Sequence, residues 1–495
     1  MKKYIIAALS VATISSAASA LDVHSTAGAL PSLVGEPASV AELRLTGTVD
    51  ASDLFFISRE MTSLRTLDLS GVTIAAYSGD KIGGLSSYAA ATIPQGVFSV
   101  TALTSVVLPA AGNVAVGDFA FAGSALRSVT IGAGVASIGQ GAFSDCDELT
   151  EVTLRPVATG GYVFKGCDRL AKVNLGGMSR VSASDFADCP ALAEVSGGEN
   201  LTDVGASAFE GCVALSSFDF HPGITSIGAS SFSHSGLRAA DLSECSRLAS
   251  VGAWAFAYET ALASVVLPAG LASLGEGAFF DCPALASVNI PASCEFLPDY
   301  AFKGNTSLTE AVVPEGAYEI GRYAWHGASL LTKVTLPASL EYIGDNAMEG
   351  STRLAEVDAT ALDKVPDLGT DVWVGVNQPE VLLSVQPDMT DAFGAASQWQ
   401  EFDIRTVSTG ADNVASVSGS VSLHARFAGK ELLVEASGAV ISSLALYDTA
   451  GVLLGAHAAD AERVAVDTSN FGTNIYIVRC VLADGSAATV KIARK

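Results

Sequence analysis

The chain has 495 residues and a formal charge of −25, from 27 basic and 52 acidic side chains, with no basic run and no basic residues interleaved with aromatics. Polyphosphate binding needs clustered Lys and Arg to displace counterions, so nucleic acid is excluded as a partner, and anionic membranes are disfavoured as a docking surface. With 49% hydrophobic and only 16% charged residues, the composition excludes disorder of the whole chain and suits a thin core of small side chains.

In chain order, residues 1–20 come first: Lys2 and Lys3, an apolar run from Tyr4 to Ile14, then Ala18, Ser19 and Ala20. That is the pattern of a cleaved secretory signal peptide. Its apolar run is too short to span a bilayer, and no later stretch is long and apolar enough for a membrane helix. No Cys follows the Ala20/Leu21 junction to accept a lipid. Residues 21–95 read as an N-terminal capping region. Within it Ala41–Val49 and Leu64–Val72 alternate apolar and polar residues as half-buried strands do, and Asp50–Met61 reads as a short helix with Ser52 or Asp53 near its start.

Residues 96–405 carry a sustained repeat. Its aromatic position falls at Phe98, Phe121, Phe143, Phe164, Phe186, Phe209, Phe232, Phe256, Phe279, Phe302 and Trp325, with Met348 closing the series. A period of about 23 residues means stacked units, none able to bury its apolar side alone, and hence a solenoid. The copy at Leu262 shows one turn. Val265 and Leu267 point inward on a strand, Ser264 and Val266 point outward, and Pro268 ends the strand. Leu271 and Leu274 point inward from a second extended piece, Gly275 makes a tight turn, and Ala278, Phe279 and Cys282 fill the remaining side. Successive strands are expected to pair in parallel at about 4.8 Å, giving a rod section roughly 55 Å long.

The recurring form L-x-x-V-x-L-P followed by I-G-x-x-A-F-x-x-C, as in Val135 to Cys146 and Leu331 to Met348, resembles the BspA-like leucine-rich repeat family over roughly Leu43 to Ile404. The resemblance implies a leucine-rich-repeat-like right-handed coil with a curved parallel β-sheet on a bacterial surface protein, some relatives of which adhere to host matrix proteins or other cells. It fixes no binding residues. The repeat fades after Val357: Asp371–Val376 reads as a last strand-like piece, and Val381–Ile404 resembles the family's closing unit, with Phe393, Trp399 and Phe402 as packing residues.

The Ser/Thr-rich residues 406–420 read as a linker, and residues 421–495 as a small antiparallel β-sandwich domain. Ser443–Leu454, Phe471–Arg479 and the basic end at Lys491, Arg494 and Lys495 resemble the C-terminal sorting domain of the type IX secretion system. One departure is that three residues separate Gly472 from Tyr476, where that family carries one.

The cysteines look at first like a disulfide framework. Yet Cys146, Cys167, Cys189, Cys212 and Cys282 each stand three residues after a repeat aromatic, so they read as buried thiols, although neighbouring turns could bring Cys189 and Cys212 within disulfide range. With no C-x-x-C, H-E-x-x-H, G-x-S-x-G, Walker or EF-hand pattern, and six scattered histidines, the sequence points to no enzyme, no cofactor and no metal. Two surfaces remain for binding. One is the stripe of outward strand positions: Thr130, Thr153, Asn174, Asp219, Asp241, Asn289 and Thr335, interspersed with Val107, Val266 and Val312. The other is an aromatic row of Trp254, Tyr300 and Tyr323, each two residues before its repeat aromatic. The reading is a monomeric, exported, cell-surface or extracellular protein that binds an extracellular protein or another cell. Alternatives are a glycan-binding protein, a structural envelope component without a specific ligand, or a periplasmic location.

Overall fold

A computed structural model describes residues 19–406, 413–416, 422–428, 431–437, 439–447, 453–469, 475–483 and 487–493. The expected leader lies outside them except for Ser19 and Ala20, which open the strand Ser19–Ser25. The described residues form two compact units, one up to Val357 together with Pro366–Val381, the other Asp358–Val365 with the residues from Leu382 onward.

The first unit opens with Ser19–Ser25 paired in parallel with Val40–Val49, which pairs with Thr66–Ile74, which pairs with Ser105–Val107. The helix Ala51–Glu60 is capped by Asp50, whose side chain accepts from the Ser52 and Asp53 amides. Asp53 answers from the first turn, accepting from Asp50 N at 3.0 Å. Fully buried, it also accepts from Gly28 N at 2.8 Å and Leu30 N at 3.0 Å, so one carboxylate ties the helix to the segment before it.

Beyond the cap, the turns contribute two short strands and one side built of tight turns, except that the stretch around Asp219 forms no strand. In the copy at Leu262 the strands are Ser264–Val266 and Ser273–Leu274. The first pairs in parallel with Ala239–Asp241 and Ser287–Asn289 in unshifted register. Val265, Leu267, Leu271, Leu274, Ala278, Phe279, Cys282 and Leu285 are buried, while Ser264 and Val266 are exposed. The period-two alternation of one short strand is thus enough to set its inward face.

The repeat aromatics stack. From Phe98 to Trp325 successive ring centroids lie 5.2–5.8 Å apart with interplanar angles of 2–19°. That spacing is the strand-to-strand step carried into the core, and each fully buried ring contributes about 2–3 kcal/mol of apolar burial. Trp373, fully buried, extends the series beyond Met348. The stretch Asp371–Val376, expected to be strand-like, is instead the tight-turn side of that last repeat, and its strand is Asp367–Leu368.

Two features of the turn side were not foreseen. The backbone is left-handed both two residues before and two residues after each repeat aromatic, for example at Ser184 (φ 54°) and Asp188 (φ 56°) around Phe186. Gly275 and its counterparts do not have this conformation. A Cβ on Gly275 would lie 2.2 Å from Ala253 N and one on Gly228 2.6 Å from Ala206 N, so glycine at these two positions serves close approach of the preceding turn, not a turn of its own, while Ser182 and Pro298 hold the same offset in other turns.

All eight cysteines are buried free thiols. The repeat thiols donate to the carbonyl of the preceding aromatic, Cys189 to Phe164 O and Cys212 to Phe186 O, both at 3.1 Å. Burial pushes Cys146 up to about 11 and Cys189 to about 12.

In the second unit Leu382–Val385 pairs in parallel with Asp403–Thr406, and Phe393, Trp399 and Phe402 are buried, with Phe393 edge-on to Trp399 at 5.2 Å. Asn413–Ser416, inside the expected linker, is a strand. It joins an antiparallel sheet with Ser422–Ala428, Glu431–Ser437 and Arg463–Asp467. A second antiparallel sheet orders Leu453–Ala461, Ile441–Tyr447, Ile475–Leu482 and Ala487–Ala493. Both supply one core that includes Leu432, Val434, Val466, Leu444, Tyr476 and Val478.

Candidate binding surfaces

The strand stripe forms through ladder register. Val107 faces Thr130, Thr153 faces Asn174, Asp241 faces Val266, Val266 faces Asn289, and Val312 faces Thr335. Thr130, Thr153, Asn174, Asp241 and Asn289 are exposed, and Thr335 is half-buried. Asp219 is exposed but lies on no strand. Phe218 and Phe220 flank it where other turns carry smaller aliphatic residues, and their rings pack against Phe232 at 5.0 and 5.3 Å.

Several polar stripe residues already serve the fold. Asn174 Oδ1 accepts from Gly176 N at 2.8 Å and Asp241 Oδ1 from Ser243 N at 3.0 Å. Hydrogen bonds from the Ser243 hydroxyl and amide lower the Asp241 pKa. Asn289 binds both the N–H and the carbonyl of Leu267, at 2.8 and 3.0 Å. The stripe is therefore a face of strand-end locks, hydroxyls and methyl groups, edged by exposed ion pairs such as Lys172 with Glu194 at 3.0 Å.

The aromatic row stands on the turn side, at left-handed positions: Trp254 (φ 58°), Tyr300 (φ 60°) and Tyr323 (φ 57°). Tyr300 and Tyr323 stack at 5.3 Å, and Trp254 reaches Tyr300 at 6.3 Å across the intervening turn. That turn carries Gly277 at the matching position, where a Cβ would lie 2.6 Å from the indole.

The row continues through residues that lie on other lines of the repeat. Phe280 packs on Trp254 at 5.1 Å and on Tyr258 at 5.2 Å, and Tyr258 meets His234 edge-on at 4.3 Å. The Lys303 ammonium lies 5.0–5.8 Å from the ring centres of Phe280, Tyr300 and Tyr323. One band of rings therefore crosses the turns from Phe232 to Trp325. His234 (φ 56°) and Tyr258 (φ 61°) are left-handed as well. Equivalent slots elsewhere hold Gly96, Gly141, Ser207, Asn346 or Gly211. A bulky side chain there costs on the order of 1 kcal/mol relative to glycine. Phe119 and Tyr162 occupy such slots in other turns, outside the band.

Beside His234 and Tyr258 opens a groove of about 640 Å³, also lined by Ser216, Arg238, Thr260 and Asp281. Beneath it the buried repeat position occupied by cysteine elsewhere holds Ser235 and then Glu259. Glu259 Oε1 accepts from Ser235 N at 2.7 Å and Ser235 Oγ at 2.6 Å, while its buried Oε2 has no hydrogen-bond partner among the described residues. Burial pushes this carboxyl up to about 7.

Parallel ladders over a turn-built side and a repeating apolar interior define a leucine-rich-repeat solenoid. The BspA type leucine rich repeat region matches residues 91–195, 179–309 and 297–369, more than half of the chain, and the protein belongs to that family. Among solved structures it is similar to a leucine-rich repeat protein from Bacteroides ovatus, at 19% identity and a TM-score of 0.50 over 75% of this chain and 85% of that one. A leucine rich cell surface protein from Faecalibacterium prausnitzii matches at 25% identity and a TM-score of 0.37, over 57% and 86%. The pneumococcal vaccine antigen PcpA matches at 17% and 0.38, over 67% and 87%. No curated protein matches the chain. Among the described residues no helix is long and apolar enough to cross a membrane.

Proposed function

We propose that the protein is a non-enzymatic, exported leucine-rich repeat protein that binds an extracellular protein or another cell at the bacterial surface, as a monomer. The observation that carries this reading is the strand face, where outward residues of successive turns stand in register over a rigid core. Many weak contacts along such a face, with a few anchors carrying most of the energy, suit a macromolecular partner. The leader at residues 1–20 sends the chain out of the cytoplasm, and the C-terminal domain acts as the sorting signal suggested by its resemblance. Protease shaving of intact cells tests this, following the full chain and a version lacking Val421–Lys495. The expected result is cleavage of the full chain and protection of the truncated one. Protection of both would place the protein in the periplasm and remove adhesion. A purified chain that binds no matrix protein or cell at micromolar concentration would also count against it.

A further inference from the structure

We infer that the ring band and the groove at its end form a carbohydrate-binding site for an oligosaccharide carrying carboxylate-bearing sugars. This site is separate from the strand face and does not depend on how the chain is displayed. Three observations converge on the same turns. The first is the band itself, from His234 through Tyr258, Phe280 and Trp254 to Tyr300 and Tyr323. Every ring but Phe280 sits in a left-handed slot that glycine, serine, aspartate or asparagine fills in most other turns, so the backbone conformation does not call for a ring there. The second is their polar ends. Among the described residues, the hydroxyls of Tyr258, Tyr300 and Tyr323 and the Trp254 indole N–H have no hydrogen-bond partner. The third is the groove, which sets rings on one wall and Ser216, Thr260, Asp281 and Arg238 around the rest.

That arrangement matches a pyranose, which has an apolar C–H face and a rim of hydroxyls. It fits a peptide strand poorly, because the turns offer no free backbone edge: His234 N donates to Ala257 O at 3.0 Å and Tyr258 N to Phe280 O at 2.7 Å. Charge selects the sugar. In a chain of net −25, Arg238 and Lys303 are cations held at the groove and over the rings, neither ion-paired among the described residues, and they outnumber the one carboxylate in the groove lining, Asp281. The planar guanidinium of Arg238 suits a sugar carboxylate. The band crosses five turns, about 20 Å at the strand spacing, which is long enough for several sugars in a row.

The test is a glycan array carrying neutral oligosaccharides alongside uronate- and sialate-bearing ones, probed with the full purified chain, with affinities of bound glycans measured by titration calorimetry. Trp254→Asn/Tyr300→Asn and Arg238→Gln are the variants. Asparagine tolerates the left-handed backbone, so the double variant should keep or raise the melting temperature while weakening acidic-glycan binding at least ten-fold. Arg238→Gln should weaken acidic glycans ten-fold and leave any neutral binding unchanged. An array without binding overturns the proposal, as does binding that survives the double variant. Equal binding of neutral and acidic glycans overturns the assignment of an acidic sugar. A double variant that melts substantially lower shows that the rings serve the fold.

Discussion

Replacing Glu259 by Gln should stabilise the protein at neutral pH and hardly at all in acid. The carboxyl occupies a buried repeat position, satisfied on one oxygen by Ser235 and without a hydrogen-bond partner among the described residues on the other. Burial raises its pKa from 4.5 to about 7, so the folded chain holds this proton more tightly than the unfolded chain does. Its contribution is therefore fully present below pH 4.5, declines as pH rises through 4.5–7, and is flat above. A shift of about 2.5 units at 1.36 kcal/mol each makes the loss on the order of 3 kcal/mol. Glutamine stays neutral throughout and keeps an acceptor for Ser235. Urea unfolding of both proteins at pH 4 and pH 8 measures the effect as a difference of differences, in which the other carboxylates cancel. The Glu259→Gln chain should gain roughly 3 kcal/mol over the parent between the two conditions. An advantage that is equal at both pH values would refute the buried neutral acid.

Phe186→Ala removes a ring stacked at 5.6 Å on both sides and should cost about 3–5 kcal/mol in denaturant unfolding, whereas Val312→Ala, at an exposed strand position, should change less than about 0.5. Gly228→Ala places a methyl 2.6 Å from a backbone nitrogen and should lose about 2 kcal/mol or more. Gly35→Ala, with nothing within 4 Å, should be nearly silent in the same melting experiment. The buried thiols, raised to about 11 or higher, should resist iodoacetamide at pH 8 in the native chain and give eight equivalents in guanidinium; rapid native labelling would contradict their burial.

Residues along one line of the repeat were legible from sequence. Val265, Leu267, Leu271, Leu274, Phe279 and Cys282 recur at fixed offsets, so their shared burial follows from the period alone. Trp373 was hidden because its repeat is 25 residues after Met348, with Pro366 and Asp367 interrupting the pattern. The left-handed pairs flanking each aromatic carry no single residue signature, being filled by Gly, Ser, Asp, Tyr and Trp alike. The ring band was only partly visible for a related reason. Trp254, Tyr300 and Tyr323 share one offset, but Phe280, Tyr258 and His234 stand at others and join them only where side chains lean across neighbouring turns. Repetition reports what is common to the turns, and a site is built from what differs.

The amide of each stacked aromatic donates to a carbonyl one turn ahead, as from Phe256 N to Ala278 O and from Phe279 N to Ala301 O. No turn needs a partner beyond its two neighbours, so nothing in the interior records how many turns there are. The segments at Leu262 and Leu285, identical at 9 of 23 positions and equal in length, could be exchanged or multiplied with the ladders still in step. Reach is then a matter of copy number, which unequal recombination between such segments alters without changing a single codon.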